Sequence, residues 1–376
     1  MFARQARRTS LRRLLGLSLA AALTLALTAP DFSPASFTGQ NGKVFYEQES
    51  DIWSINADGT GALDLTPEEG FSGQRPSGSA DGRHVVFQTF RDGGWNIFSM
   101  NADGSNQVDL TNTKDPVINF EPAFSPDGSK VAFMRQGLTA GEEDIWVINA
   151  NGSGAVDLTN SPGINETAPE FSPDGTKIVY ISSGPTLCCG AEYNNDIWVM
   201  NANGSSPEQL TETNFPIQNV GPTWSPDSAK IAYSTLESST AGDNGLHVMN
   251  ADGTGKTALL NEGNPIHSDQ LSWSPDGTRI AYEASTGNFV STVEVAGGAL
   301  TPLVSDSAHY PSWVPAPVSN GEGGPPALPS PGGSAGVPPV VAPAAVLPSK
   351  KPLKCGQRQE EEDRQRQGEV RQKAQA

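Results

Sequence analysis

The sequence predicts an all-β protein, a six-bladed β-propeller of four-stranded antiparallel blades, with the ring closed by a C-terminal strand near residues 310–313 that completes the first blade. Three features predict it. Two four-residue turn phrases alternate along the chain, short β-branched and aromatic runs lie between them, and the repeat has the length of a propeller blade.

The first phrase is complete as Ser125-Pro126-Asp127-Gly128, Ser172-Pro173-Asp174-Gly175 and Ser274-Pro275-Asp276-Gly277. Degraded copies stand at Ser225-Pro226-Asp227-Ser228 and Ser79-Ala80-Asp81-Gly82. The second phrase reads Asn56-Ala57-Asp58-Gly59, Asn101-Ala102-Asp103-Gly104, Asn149-Ala150-Asn151-Gly152, Asn201-Ala202-Asn203-Gly204 and Asn250-Ala251-Asp252-Gly253. Proline presets φ, Asp or Asn bonds its local backbone, and Gly takes the positive-φ position, so each phrase reverses a strand. Runs such as Lys130-Val131-Ala132-Phe133 and Asp144-Ile145-Trp146 are the strands between them, and Leu-Thr pairs such as Leu158-Thr159 end each unit. The Asn-Ala-Asp-Gly phrase lacks the closing Glu of a calcium loop, so turn chemistry accounts for it.

The second strand of successive units begins at Val44, Val85, Val131, Ile178, Ile231 and Ile280, roughly 40 to 55 residues apart, which counts six blades. The first unit lacks its own first strand, and the chain after the sixth supplies Tyr310-Pro311-Ser312-Trp313, matching Pro222-Thr223-Trp224 of the fifth. That strand is expected to join both chain ends in one sheet and hide an open edge.

These phrases resemble the TolB-like propellers, built from the repeat called PD40 after its Pro-Asp pair, over residues from about 41 to 314. The same repeat occurs in the propeller of prolyl-oligopeptidase-like enzymes and in some lyases, so the resemblance speaks to fold more than to function. It implies that a partner's peptide can enter the channel mouth. The TolB proteins of the Tol-Pal system carry a separate N-terminal α/β domain, for which the short stretch between leader and first blade leaves no room.

The ends set the expected domains and compartment. Arg4, Arg7, Arg8, Arg12 and Arg13 precede an uncharged, mostly apolar run from Leu14 to Ala29, so residues 1–35 read as a signal peptide and the protein as exported: secreted, periplasmic or bound to the cell envelope. Arg7-Arg8-Thr9-Ser10-Leu11 loosely matches a twin-arginine signal. The run is too short for a permanent transmembrane anchor. Residues 36–314 are the propeller, 315–349 a Pro/Gly/Ala-rich disordered linker, and 350–376 a charged, Gln-rich tail.

Between Ser36 and Val314 only 11 Lys and Arg stand against 35 Asp and Glu. Such a body repels phosphate backbones, which argues against nucleic acid and favours cations, basic peptides or neutral glycans. The three cysteines include the adjacent Cys188 and Cys189, so no disulfide framework holds the fold; a vicinal disulfide, free thiols and pairing with Cys355 remain open. His84, His247, His267 and His309 lack zinc-site spacing.

Strand alternation puts both short turns of every blade at one end and the variable loops and crossovers at the other, including 135–143, 182–195 and 236–245. Residues just before the Pro-x-Trp phrase should ring the channel mouth at that end: Arg75, Asn119, Glu121, Glu166, Asn219, Asp269, His309 and Tyr310. Their carboxylates and amides could hold calcium or a basic peptide. No other cofactor is expected. The leading expectation is a monomeric, non-enzymatic scaffold that binds an envelope or secreted protein or peptide. A glycan lyase or hydrolase is the chief competitor, although no signature pairs an acid with a base. A carbohydrate-binding module would require Phe71, Phe120, Phe215 and Tyr310 to gather at one rim. A prolyl-oligopeptidase is excluded, because no α/β-hydrolase domain follows.

Overall fold

In the computed structural model, residues 39–317 are described, apart from 68–71, 138–141, 185–194, 214–216, 238–244, 261–265, 267–268, 285–288, 298–299 and 306. The leader, the tail, Cys188, Cys189, Cys355, His267, Phe71 and Phe215 lie outside the described residues. Every described residue falls in one structural unit, 37–376. Among the described residues no helix is long and apolar enough to cross a membrane.

Six four-stranded antiparallel sheets follow one another. The first contains β1 (Asn41–Gln48), β2 (Asp51–Asn56) and β3 (Leu63–Asp64); the second β4 (Gly73–Gly78), β5 (His84–Arg91), β6 (Gly94–Asn101) and β7 (Val108–Asp109). The third is β8 (Ile118–Phe124), β9 (Lys130–Gln136), β10 (Glu143–Asn149) and β11 (Val156–Asp157). The fourth is β12 (Asn165–Phe171), β13 (Lys177–Ser183), β14 (Asn195–Asn201) and β15 (Glu208–Gln209). The fifth is β16 (Ile217–Trp224), β17 (Lys230–Glu237), β18 (Gly245–Asn250) and β19 (Thr257–Leu260). The sixth is β20 (Ser272–Trp273), β21 (Arg279–Ala284), β22 (Phe289–Glu294) and β23 (Thr301–Val304). The final strand, β24 (Ala308–Pro315), pairs with β1 and not with its own neighbour β23, which closes the ring as expected.

The turn phrases do the work that their residues predict. In the β8–β9 turn, Ser125 Oγ donates to Asp127 at 2.6 Å, the Lys130 amide donates to Ser125 Oγ at 2.9 Å, and Gly128 takes φ 67°. The second phrase also docks one blade on the last. Gly104, at φ 86°, lies so close to the Leu65 carbonyl that a Cβ there would sit 2.5 Å from its oxygen, so the position needs glycine twice over.

The hydrophobic core is divided among the six contacts between neighbouring blades. Val86 and Ile97 of the second blade pack on Phe124, Val131, Phe133 and Ile148 of the third. At the ring closure, Val44, Tyr46 and Ile55 pack with Ala281, Val290 and Trp313. Because a second strand has a blade on each face, its apolar residues run consecutively: Val44, Phe45 and Tyr46 are all buried. Alternation is absent there because neither face meets water.

The corners of the first four blades carry a polar clasp. Thr66, Thr111, Thr159 and Thr211 of the Leu-Thr pairs accept the amides of Ile52, Ile97, Ile145 and Ile197 and donate to Asp51, Asn96, Asp144 and Asp196. These buried amides would otherwise lack partners where the outer strand ends.

Candidate functional site: the channel mouth

The innermost strands break their ladder at a fixed place. Arg75, Glu121, Ala168, Gly221 and Tyr310, each directly before a proline, have φ of 48°, 56°, 50°, 58° and 52°, and the pairing register shifts beside each. Proline has no amide to lose from the ladder and suits such a bulge, and a bulge re-aims the side chain beside it. In the sixth blade Leu271 stands where the others have proline, and Gln270 donates to the Pro76 carbonyl at 3.3 Å.

The freed amides are bonded across the blade contacts. Gln88 Oε1 accepts from the Glu121 amide at 2.9 Å, and Glu121 Oε2 accepts from the Ala168 amide at 2.7 Å. The Glu47 carboxyl accepts from the Arg75 amide. Strained backbone is thus held by its neighbours at the one level where blades converge.

At this level Arg75 draws side chains together from four blades. Its guanidinium pairs with Glu121 at 3.3 Å and with Asp269, and lies 4.3 Å from the centroid of the Tyr310 ring. Burial opposes its charge, but Glu121 and Asp269 outweigh burial and raise its pKa. Tyr310 is pushed up to about 12, by burial first, so it stays a neutral phenol. His309 Nδ1 lies 2.8 Å from Glu283 Oε1. Glu47, opposite His309 in the pairing of β1 with β24, is buried, and burial lifts its pKa to about 7. Two residues past the bulge of β12, Glu170 accepts from Thr223 Oγ1 and the Trp224 amide of the next blade, and burial lifts it to about 7.

Arg75, Glu121, Asp269, His309 and Tyr310 are therefore brought together. Asn119, Glu166 and Asn219 are not: they are 0%, 4% and 1% exposed and turn into the blade contacts. Asn119 donates to the Trp95 carbonyl and Thr113 and accepts from Arg135; Asn219 donates to the Asn195 carbonyl, Asp196, Thr211 and Thr213. They lie two residues before the bulge residue, on the strand face away from the axis, a distinction that reading "before the proline" could not make. Of the carboxylates considered for calcium, Glu121 and Asp269 are turned to Arg75 and Glu166 into the blade contact. Among the described residues no group of three or more His, Cys, Asp or Glu is placed to hold a metal ion.

Sequence reasoning missed Glu47, Glu283 and Gln88. The signal was available: each stands three residues after Val44, Val85 or Ile280, the apolar residue that opens the run of its second strand, a polar residue in an otherwise apolar run. It named Phe120 but missed that Phe90 and Trp95 join it in an aromatic series beside the mouth. Phe90, 42% exposed, meets Trp95 edge-on at 5.7 Å between centroids, and Trp95 meets Phe120 at 5.1 Å, next to Glu121.

The profile of the TolB beta propeller domain, PD40, matches residues 109–317, more than half of the chain. No characterised protein sequence matches at a significant level. Among solved structures, TolB from Acinetobacter baumannii superposes with TM-score 0.60 at 18% identity, over 74% of this chain and 67% of that one. A putative TolB from Agrobacterium tumefaciens gives 0.51 at 19% identity, over 64% and 86%. Kuenenia stuttgartiensis hydrazine synthase gives 0.61 at 16% identity, over 74% and 48%. At such identities these structures speak to the fold alone. On the profile match and a ring of six such blades, the chain belongs to the TolB β-propeller family.

Proposed function

We propose that the protein is an exported, non-enzymatic scaffold that captures an envelope or secreted protein or peptide at the channel mouth, through a cationic side chain flanked by an aromatic or aliphatic one. The observation that carries this reading is the convergence of Arg75, Glu121, Asp269 and Tyr310 at the mouth, on backbone held by cross-blade hydrogen bonds. Preorganised groups lose little entropy on binding. Glu121 and Asp269 share one guanidinium, so this set is left net acidic, within a strongly acidic ring. Phe90, Trp95 and Phe120 offer an apolar face directly beside it. The Arg-rich start followed by an apolar run supports export.

The test uses the mature full-length chain as bait in the native envelope and secreted fractions, beside Asp269→Asn/Phe90→Ser. One protein enriched by the parent and reduced about tenfold or more by the folded variant is the expected result. Equal capture by both would exclude the mouth as the binding surface.

A glycan-cleaving reading rests on the His309–Glu283 contact beside Tyr310, the only described histidine and carboxylate paired at the mouth. Arg75 has two carboxylate partners and no spare charge for a uronate, which counts against it. Appearance of new reducing ends in a glycan mixture, lost on His309→Ala, would favour this reading.

A further inference from the structure

We propose that the seam closing the ring carries a proton-binding site formed by Glu47, His309 and Glu283, and that proton uptake there tightens the closure. The seam is the pairing of β1 with β24, among the described residues the only sheet in which the first and last strands meet. Glu47 and His309 stand opposite each other in it, directly beside the register shift at Tyr310. The Glu283 carboxylate reaches in from β21 to the imidazole Nδ1 at 2.8 Å.

Glu47 supplies the observation that a purely structural cluster would lack. It is 8% exposed, and its Oε2 atom is buried without a hydrogen-bond partner. A carboxylate anion with a buried, unbonded oxygen is costly, and the cost vanishes when the group is neutral. The groups that face it are His309 from β24, Arg75 from β4, Glu283 from β21 and Tyr310. Arg75 offers little relief, because Glu121 and Asp269 engage its guanidinium. Tyr310 is neutral at every pH in question. Two carboxylates thus flank one imidazole in a partly dry seam, and with the imidazole neutral the trio carries two negative charges. One proton removes one of them, and it belongs to the trio as a whole and not to one residue.

Burial lifts Glu47 from the ordinary carboxylate range to about 7, which sets the window. Because the closed seam binds the proton more tightly than the open one, closure is strongest at mildly acidic pH and weakens as pH rises through about 7. The inference stands whether or not a partner binds at the mouth.

Native-state hydrogen exchange on the full chain tests it, following amides of β1 and β24 from pH 5 to pH 8 with β6, which carries no titratable side chain, as internal reference. The seam opening constant should rise by up to about tenfold per pH unit toward neutrality, the slope of one proton, while the reference strand changes less. Glu47→Gln fixes the neutral form and should flatten the seam's pH dependence and keep it protected at pH 8. If that variant does not fold, Glu283→Gln should reduce the slope near neutrality, because the Glu283 charge raises the Glu47 pKa. Equal slopes in the parent and the folded variants, or seam and reference amides moving together in all, would overturn the proposal.

Discussion

Glu166 shows how much one residue's role depends on its surroundings. Asn119 and Asn219, each three residues before the bulge proline, donate amide hydrogens to a carbonyl and to threonines of the preceding blade. Glu166 stands three residues before Pro169, in the same position, but an ionised carboxylate can only accept. Burial lifts its pKa to about 8, with Asp144 and Asp157 adding to the rise and hydrogen bonds from Ser161 and Thr159 opposing it, so at neutral pH it is an acid able to donate. Its folded pKa lies above its unfolded one. The stabilisation is therefore complete below about 4.5 and is lost as pH rises through about 8. Glu166→Gln keeps the shape and the donor without the charge. It should raise unfolding free energy at pH 8.5 by about 2 kcal/mol and change it little at pH 5. Urea unfolding at the two pH values decides the matter: an equal effect at both would mean that ionisation is not involved. The glutamate's place before a proline was legible in the sequence, but its orientation was not, because the bulge that sends Glu121 to the axis leaves Glu166 on the opposite face.

At the scale of the element, the turns and the second strands were fully legible, since φ preferences and side-chain bonds act within a few residues. Ser228 gives this a test. It ends the degraded copy of the first phrase that lacks glycine, Ser225-Pro226-Asp227-Ser228, and takes φ 59° where the other copies use Gly. A left-handed non-glycine residue costs about 1 kcal/mol, while the Asp174 amide's bond to Ser228 Oγ is exposed and contributes less. Ser228→Gly should therefore stabilise the protein by about 0.5 kcal/mol, seen as a small rise in Tm. An unchanged or lower Tm would show that the cross-blade bond outweighs the strain. The outer strands were only partly legible. In the first four blades they are two residues long, a length that leaves little free edge for another chain.

The whole molecule is a closed cycle of six blade contacts, so each blade relies on two neighbours, and the first relies on the last strand of the chain. Trp313 holds that closure. It is 6% exposed among Val44, Tyr46, Ile55 and Val290, and Ser272 accepts its amide at 2.8 Å. Trp313→Ala should cost about 3–5 kcal/mol, the ordinary price of emptying a large buried site. Its urea midpoint should fall accordingly, and a loss below about 1 kcal/mol would mean that the ring closes without this anchor.

The sequence alone determined the blade count, the order of strands and the closing role of residues 310–313, because turn chemistry and strand patterning are local and were repeated often enough to count. Tertiary structure alone decided which polar residues meet. Arg75, Glu121, Asp269 and Tyr310 lie far apart along the chain and converge only because the ring curves their strands around one axis. Asn119 and Asn219, two residues before the bulge of their strands, turn away because the positive-φ bulge residue breaks the alternation that would otherwise put positions two apart on one face.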